Sequence, residues 1–239
     1  MKKINAVYVS LAALVLAVIA LVMCILCCCC KKSNVEETLM NKPEIIFNAM
    51  QKFEAQQREN AEKEAQKLMQ ENAEALYNNA NDGVLGNAKG KIVLVEFFDY
   101  SCGYCHKVYP VLKNVIAKNA DLKVVAKPLA FLSPMSTYAA KASLAAKEQG
   151  KFAEVYSAIF EIKGQMTEAK IDEAAVLAGA DLDKLKADMN SEKVTKVMNE
   201  TSDLASKLRI SGVPTLVLNG KIVRALDEAT LQKAIDAVK

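Results

Sequence analysis

Residues 90–119 read GKIVLVEFFDYSCGYCHKVYPVLKNVIAKN. From Ile92 to Phe98 the run is apolar and β-rich, interrupted only by Glu96, as expected of a strand buried in a parallel sheet. From Gly103 to about Lys118, Val108, Leu112, Val115 and Ile116 recur at helical spacing. Cys102 therefore falls at a strand-to-helix junction, at the positive end of the helix. There the helix dipole and the free backbone N–H groups stabilise a thiolate. Cys105, one turn on, is placed to form a disulfide with Cys102 or to resolve a mixed disulfide. Glu96 precedes Cys102 by six residues within the buried strand. Desolvation raises the pKa of such a carboxyl group, which makes Glu96 a candidate proton relay to the second thiol. The plainer alternative is an acid at a strand end that reaches water.

The rest of the composition narrows the chemistry. Of seven cysteines, Cys24, Cys27, Cys28, Cys29 and Cys30 end an apolar N-terminal stretch, so only Cys102 and Cys105 follow it. Two cysteines and one histidine, His106, cannot build a multi-disulfide framework or a four-ligand zinc site. Cys102-x-x-Cys105-His106 also spells the attachment motif of a c-type haem, an electron-transfer alternative from another class. The strand–motif–helix context and Glu96 argue against it, and no cofactor is expected. His106 reads as a helix-face residue flanking the site. Lys127 could hold the buried acid by charge, although a lysine at a strand end usually snorkels to water. Tyr100 and Tyr104 flank the cysteines as a candidate apolar rim for unfolded peptides. A membrane-tethered scaffold that only binds partners is a third class, disfavoured by the intact cysteine pair.

The chain has 239 residues, 52% of them hydrophobic, which excludes disorder throughout. Residues 1–30 contain only Lys2, Lys3, Asn5 and Ser10 as non-apolar positions. That stretch holds two of the 31 basic residues and none of the 28 acidic ones. The remainder is thus nearly neutral and offers no surface for nucleic acid. Residues 4–26 reach the ~20 apolar residues needed to span a bilayer as a helix. The stretch exceeds the apolar region of a cleaved signal and lacks a small-x-small cleavage site. An uncleaved anchor is expected, with signal cleavage or lipid attachment as alternatives. Lys2 and Lys3 are balanced by Lys31 and Lys32, so charge does not set orientation. Disulfide chemistry needs an oxidising compartment, which puts the remainder outside the cytoplasm.

Residues 31–81 change character to Glu, Gln, Asn, Lys and Ala. Pro43 fits a helix's first turn, with Asn41 as a possible cap. Ile46, Met50 and Phe53, then Ala61, Ala65, Leu68 or Met69, Ala73 and Leu76 form one narrow stripe with a phase slip. The stripe suits either a solvated spacer or a self-associating stalk that makes the protein a homo-oligomer.

Beyond the cysteine pair, residues 122–131 read as a second strand stopped by Pro128. About 130–210 is helix-rich, with breaks near Gly150, Gly164, Gly179 and Asn190. Residues 211–223 read as two strands joined by Asn219-Gly220, a strong hairpin signal. Residues 227–238 close the chain as a helix.

This order resembles the thioredoxin-fold DsbA superfamily of extracytoplasmic thiol-disulfide oxidoreductases over residues 82–239. VLGN (84–87), VEFFDYSCGYC (95–105) and GVPT (212–215) resemble the DsbA-like branch that includes the stalked ScsC proteins. KPEIIFNAMQKFEAQ (42–56) resembles the N-terminal helix of those members. The resemblance implies an α/β thioredoxin fold with a helical insertion, Cys102 as nucleophile, Cys105 as resolving cysteine and Glu96 as buried acid. It further implies that Val213-Pro214 forms a cis-proline loop beside the disulfide, whose backbone pairs with extended substrate. Implied partners are unfolded or misoxidised proteins, a membrane redox partner and the bacterial inner membrane, with the catalytic domain in the periplasm. Gly103-Tyr104 stands where the strong oxidase has Pro-His, and CGYC resembles the isomerase setting. Val213 resembles oxidases instead. The stalk favours isomerase or reductase over dithiol oxidase.

Overall fold

A computed structural model describes residues 2–239, with the side chains of residues 2–10, 27–34, 36 and 37 outside the description. The chain divides into two units, Met1–Asn60 and Ala61–Lys239. The first holds helix α1 (Lys2–Asn41) and the opening turns of α2 (Glu44–Glu71). Asn41 does not cap α2; it is the last residue of α1. The break falls at Lys42 and Pro43, because proline lacks an N–H and disfavours helical geometry in the residue before it. The stretch expected to anchor the chain lies partly outside the described side chains. Among the described residues, no helix is long and apolar enough to cross a membrane.

The second unit is built on a five-stranded sheet in the order β1-β3-β2-β4-β5. The strands are β1 (Gly83–Gly86), β2 (Ile92–Phe98), β3 (Leu122–Pro128), β4 (Thr215–Leu218) and β5 (Lys221–Val223). Only β2 and β3 run parallel, joined by helix α4 (Gly103–Lys118) as a crossover. The β4–β5 hairpin turns on Asn219 (φ 48°) and Gly220 (φ 72°), the left-handed pair that a two-residue hairpin requires.

The helical insertion comprises α5 (Pro134–Lys147), α6 (Phe152–Phe160), α7 (Glu168–Leu177), α8 (Leu182–Met189) and α9 (Glu192–Lys207). The expected breaks at Gly150, Gly164, Gly179 and Asn190 all fall between these helices. Ser133, Thr167, Asp181 and Ser191 each accept a hydrogen bond from the N–H three residues on, which fixes where α5, α7, α8 and α9 begin. Asp227 does the same for the closing helix α10 (Glu228–Asp236).

Strand alternation divides the core between the two faces of the sheet. Leu94 and Phe98 of β2 pack with α4, α10 and the insertion in the larger cluster. Val95, Phe97, Val125 and Val217 face the other way, onto Met69, Leu76, Leu204 and Leu208. Met69 and Leu76 are therefore buried under the sheet instead of extending the stalk's stripe. For that reason the compact unit begins well before the boundary expected near residue 81. The end of α2 and the short α3 (Ala73–Tyr77) belong to it.

Candidate active site

Strand β2 ends at Phe98, and the chain turns through Asp99–Ser101 into α4. Cys102 occupies the N-cap of α4 in extended geometry (φ −82°, ψ 117°). Its N–H donates to the Asp99 carbonyl at 3.0 Å, and its own carbonyl accepts from the His106 N–H at 3.1 Å. Cys102 retains 8% exposure whereas Cys105, one turn along, has none, and both are free thiols. One cysteine is thus presented to a reaction partner while the other is shielded beneath it.

The Cys102 Sγ donates to the Val213 carbonyl at 3.4 Å, across 111 residues of sequence. The Val213–Pro214 peptide bond is cis and directly precedes β4. The structure therefore brings Cys102 against the Val213–Pro214 loop, with Cys105 one turn along α4, the arrangement that the resemblance implied.

Glu96 lies on the Leu94–Phe98 face of the sheet, fully buried. Its Oε2 accepts from the Tyr156 hydroxyl of α6 at 2.8 Å, and its Oε1 has no hydrogen-bond partner. Burial pushes its pKa up to about 7, opposed by the Tyr156 hydrogen bond. Glu96 does not reach water. Burial likewise drives the Cys105 thiol far above its usual range, with the nearby Glu96 charge adding to the effect. Cys105 therefore needs a proton acceptor before it can attack, and Glu96 is close enough to act on it electrostatically.

Two expectations are corrected. Lys127 neither snorkels to water nor holds Glu96. In the β2–β3 register Glu96 pairs with Ala126 while Lys127 pairs with Phe97, so the two side chains leave opposite faces of the sheet. Lys127 is buried and paired with Asp82, and it donates to the Ala75 carbonyl at 2.8 Å. Tyr100 is not part of a rim. It packs in an aromatic cluster, 5.0 Å from Phe98 and 4.8 Å from Phe160. Tyr104 alone of the pair is exposed (57%). The haem alternative does not fit either. Cys105 has no exposed sulfur, and His106 Nε2 is engaged with the Tyr100 carbonyl at 2.8 Å.

Four further residues define the site that sequence reasoning did not single out: Asp99, Phe131, Leu132 and Tyr156. The Asp99 carboxylate accepts from the N–H groups of Ser101, Phe131 and Leu132. Phe131 and Leu132 are exposed beside the cysteine turn, at 59% and 48%. Their signal in the sequence is two large apolar residues placed between a strand and a helix N-cap. Tyr156 has no signal of its own, being one of several aromatics in the insertion.

Residues 93–236 match the family described as the DSBA-like thioredoxin domain. A thioredoxin-like oxidoreductase from Silicibacter pomeroyi is 31% identical, with a TM-score of 0.65 over 69% of this chain and 96% of that one. The catalytic domain of Proteus mirabilis ScsC is 26% identical, with a TM-score of 0.66 over 72% and 97%. The "Probable disulfide bond formation protein D" of Bacillus anthracis is 27% identical over 64% of this chain and 76% of its own length. The chain also matches curated Na(+)/H(+) antiporters such as NhaA 1 of Mycolicibacterium gilvum, 32% identical over 65% of this chain, and spans about a quarter (26%) of that protein's length.

Proposed function

We propose, from the premise that this chain belongs to the DSBA-like thioredoxin-domain family, that it is a thiol-disulfide oxidoreductase reducing and reshuffling the disulfides of other proteins through Cys102 and Cys105. The observation that supports this most directly is the pairing of a slightly exposed thiol at a helix N-cap, donating to the Val213 carbonyl, with a fully buried one a turn below.

The chemistry runs in two exchanges. The Cys102 thiolate, at the N-cap of α4, attacks one sulfur of a substrate disulfide. A Cys102–substrate disulfide forms, the substrate S–S bond breaks, and the departing sulfur leaves as a thiolate. In reduction, Cys105 gives its proton to Glu96 and attacks the Cys102 sulfur. The Cys102–Cys105 disulfide forms, the second substrate sulfur leaves, and two electrons have passed to the substrate. In isomerisation, another thiolate of the same substrate attacks the mixed disulfide instead. Cys102 then returns as a thiolate with no net electron transfer. Extended substrate would pair with the backbone at Val213 and Pro214.

Isomerase or reductase activity is favoured by the Gly103-Tyr104 dipeptide, which places no imidazole between the cysteines, and by the stalk. Ile46, Met50 and Phe53 lie exposed along one side of α2, a stripe suited to self-association. An oligomer would bring several sites to one misfolded substrate. Dithiol oxidation is the second reading, favoured by Val213. Residues 4–26 would tether the protein to the bacterial inner membrane, with the catalytic unit in the periplasm and a membrane redox partner resetting the pair. Exposed Leu11, Leu14, Leu16, Leu21 and Leu26 support that tether.

The test is refolding of scrambled ribonuclease by the full chain in detergent micelles, with Cys102→Ser as control. Recovery of ribonuclease activity that depends on Cys102 is expected. Rapid oxidation of reduced ribonuclease without rescue of the scrambled form would establish the oxidase reading instead.

A further inference from the structure

The Asp99 side chain sits in the turn before Cys102, buried, with every hydrogen bond directed away from the thiols. Oδ1 accepts from the Ser101 N–H at 2.8 Å and from the Ser136 hydroxyl at 2.5 Å. Oδ2 accepts from the Phe131 N–H at 3.1 Å and the Leu132 N–H at 3.0 Å. The hydroxyls of Ser101 and Ser133 lie 2.7 Å apart, and those of Ser136 and Ser101 2.9 Å. One carboxylate thus joins three pieces of chain: the residue before the nucleophile, the loop after β3 and the first turn of α5. Its main-chain carbonyl accepts from the Cys102 N–H.

A carboxylate bound by four donors holds the backbone around it in one position. What it fixes is an exposed lip. Phe131 and Leu132 project to solvent from amides held by a buried group, and Ser133, next along, touches the residue adjoining Cys102. We propose that Asp99 is a positioning residue whose carboxylate fixes the Phe131–Leu132 lip beside Cys102, so that the lip seats apolar residues flanking the target cysteine of an unfolded polypeptide. This rests on the disulfide-exchange reading above. The occupant is the substrate's own chain, because the lip adjoins the sulfur that must be reached, and whatever covers it is continuous with the disulfide under attack. Such residues are exposed in unfolded proteins and buried in folded ones. The lip would therefore select misfolded substrates.

The experiment uses two synthetic peptides, each with one intramolecular disulfide, differing only beside the first cysteine: Phe-Leu in one, Ser-Gly in the other. The second-order rate constant for oxidation of the reduced full chain is measured with each. Seating an apolar side chain gives a roughly tenfold preference for the Phe-Leu peptide. Asp99→Ala removes the acceptor of all four donors, the two lip N–H groups among them, which frees the lip. That variant should bring the preference close to one. Phe131→Ser/Leu132→Ser, altering exposed side chains only, should do the same, and combining all three changes should add nothing. A merely structural role for Asp99 would slow both peptides together and keep the ratio. A ratio preserved in either variant, or a combined variant losing more than each alone, would overturn the proposal. No reaction of the unsubstituted chain with either peptide would overturn the exchange reading together with it.

Discussion

The Tyr156 hydroxyl donates to Glu96 Oε2 at 2.8 Å, so the acid buried below the cysteine pair is held by a phenol from the helical insertion, 60 residues away. The second carboxylate oxygen is buried without a partner. The insertion thereby supplies part of the candidate site as well as covering the sheet. One oxygen is occupied by Tyr156, and the other is free to take a proton.

The Glu96 environment has a consequence for stability. Its folded pKa of about 7 lies above the ordinary 4.5, so between those values the native state keeps a proton that the unfolded chain has lost. The contribution is fully present below pH 4.5 and is lost as pH rises through 7. Glu96→Gln removes this dependence. Urea denaturation of the reduced protein should show the variant more stable by about 3 kcal/mol at pH 8 and little changed at pH 4. Tyr156→Phe removes a hydrogen bond to the charged form and should move the midpoint of the wild-type dependence upward. In rapid-quench assays, Glu96→Gln should slow resolution by Cys105 about a hundredfold while leaving the first attack by Cys102 near its original rate.

In the proposed disulfide exchange, the dipeptide between the cysteines sets the redox poise. A side chain at Gly103 would meet nothing within 4 Å, and Gly103 is the first residue of α4, where proline is tolerated. Gly103→Pro with Tyr104→His should therefore fold and should stabilise the Cys102 thiolate through a neighbouring imidazole. Equilibration with glutathione should show the pair shifted toward the reduced form by tenfold or more, about 30 mV.

Much of this was legible in the sequence, for identifiable reasons. Strand β2, the Cys102–Cys105 helix and the Asn219-Gly220 hairpin each depend on neighbours within a few residues, so local pattern sufficed. The helical breaks in the insertion follow from glycine and from the Asn190–Ser191 cap. Misplaced features depend on long-range register. Whether Lys127 meets Glu96 is decided by the pairing of β2 with β3, which puts Ala126, not Lys127, opposite the acid. Tyr100 follows Phe98 by two residues and so shares its buried side, yet it lies past the strand's end where alternation gives no guide. Met69 and Leu76 continued the stalk's spacing on paper, and only the rear face of the sheet distinguishes them. Tyr156 became a partner of Glu96 through packing across the insertion, which no motif announces.

The buried pair Lys127–Asp82 ties the turn before β1 to the rear of the sheet, and Lys127 also holds Ala75 of α3. Burial lowers the Lys127 pKa and raises that of Asp82, each opposed by the partner's charge. Removing one member strands the other. Lys127→Met or Asp82→Leu alone should cost about 3–5 kcal/mol, and the double variant should recover most of it. Chemical denaturation of the three variants checks this. Because the pair lies on the face opposite Glu96, the glutathione equilibrium of the cysteines should be unchanged in the double variant.

The stalk reading makes a separate demand. Replacing Ile46, Met50 and Phe53 with serine removes the exposed stripe of α2 without touching the compact unit. Light scattering should report an oligomer for the unsubstituted protein and a monomer for the variant. An unchanged mass would sink the oligomerisation reading.

In the proposed exchange, Cys102 attacks and Cys105 resolves. Its most direct measurement is the capture of mixed disulfides by a Cys105→Ala variant incubated with scrambled ribonuclease, resolved on non-reducing gels and mapped by mass spectrometry. A covalent adduct joined through Cys102 is expected, absent when Cys102→Ser is added. No adduct, or one that survives loss of Cys102, would contradict it.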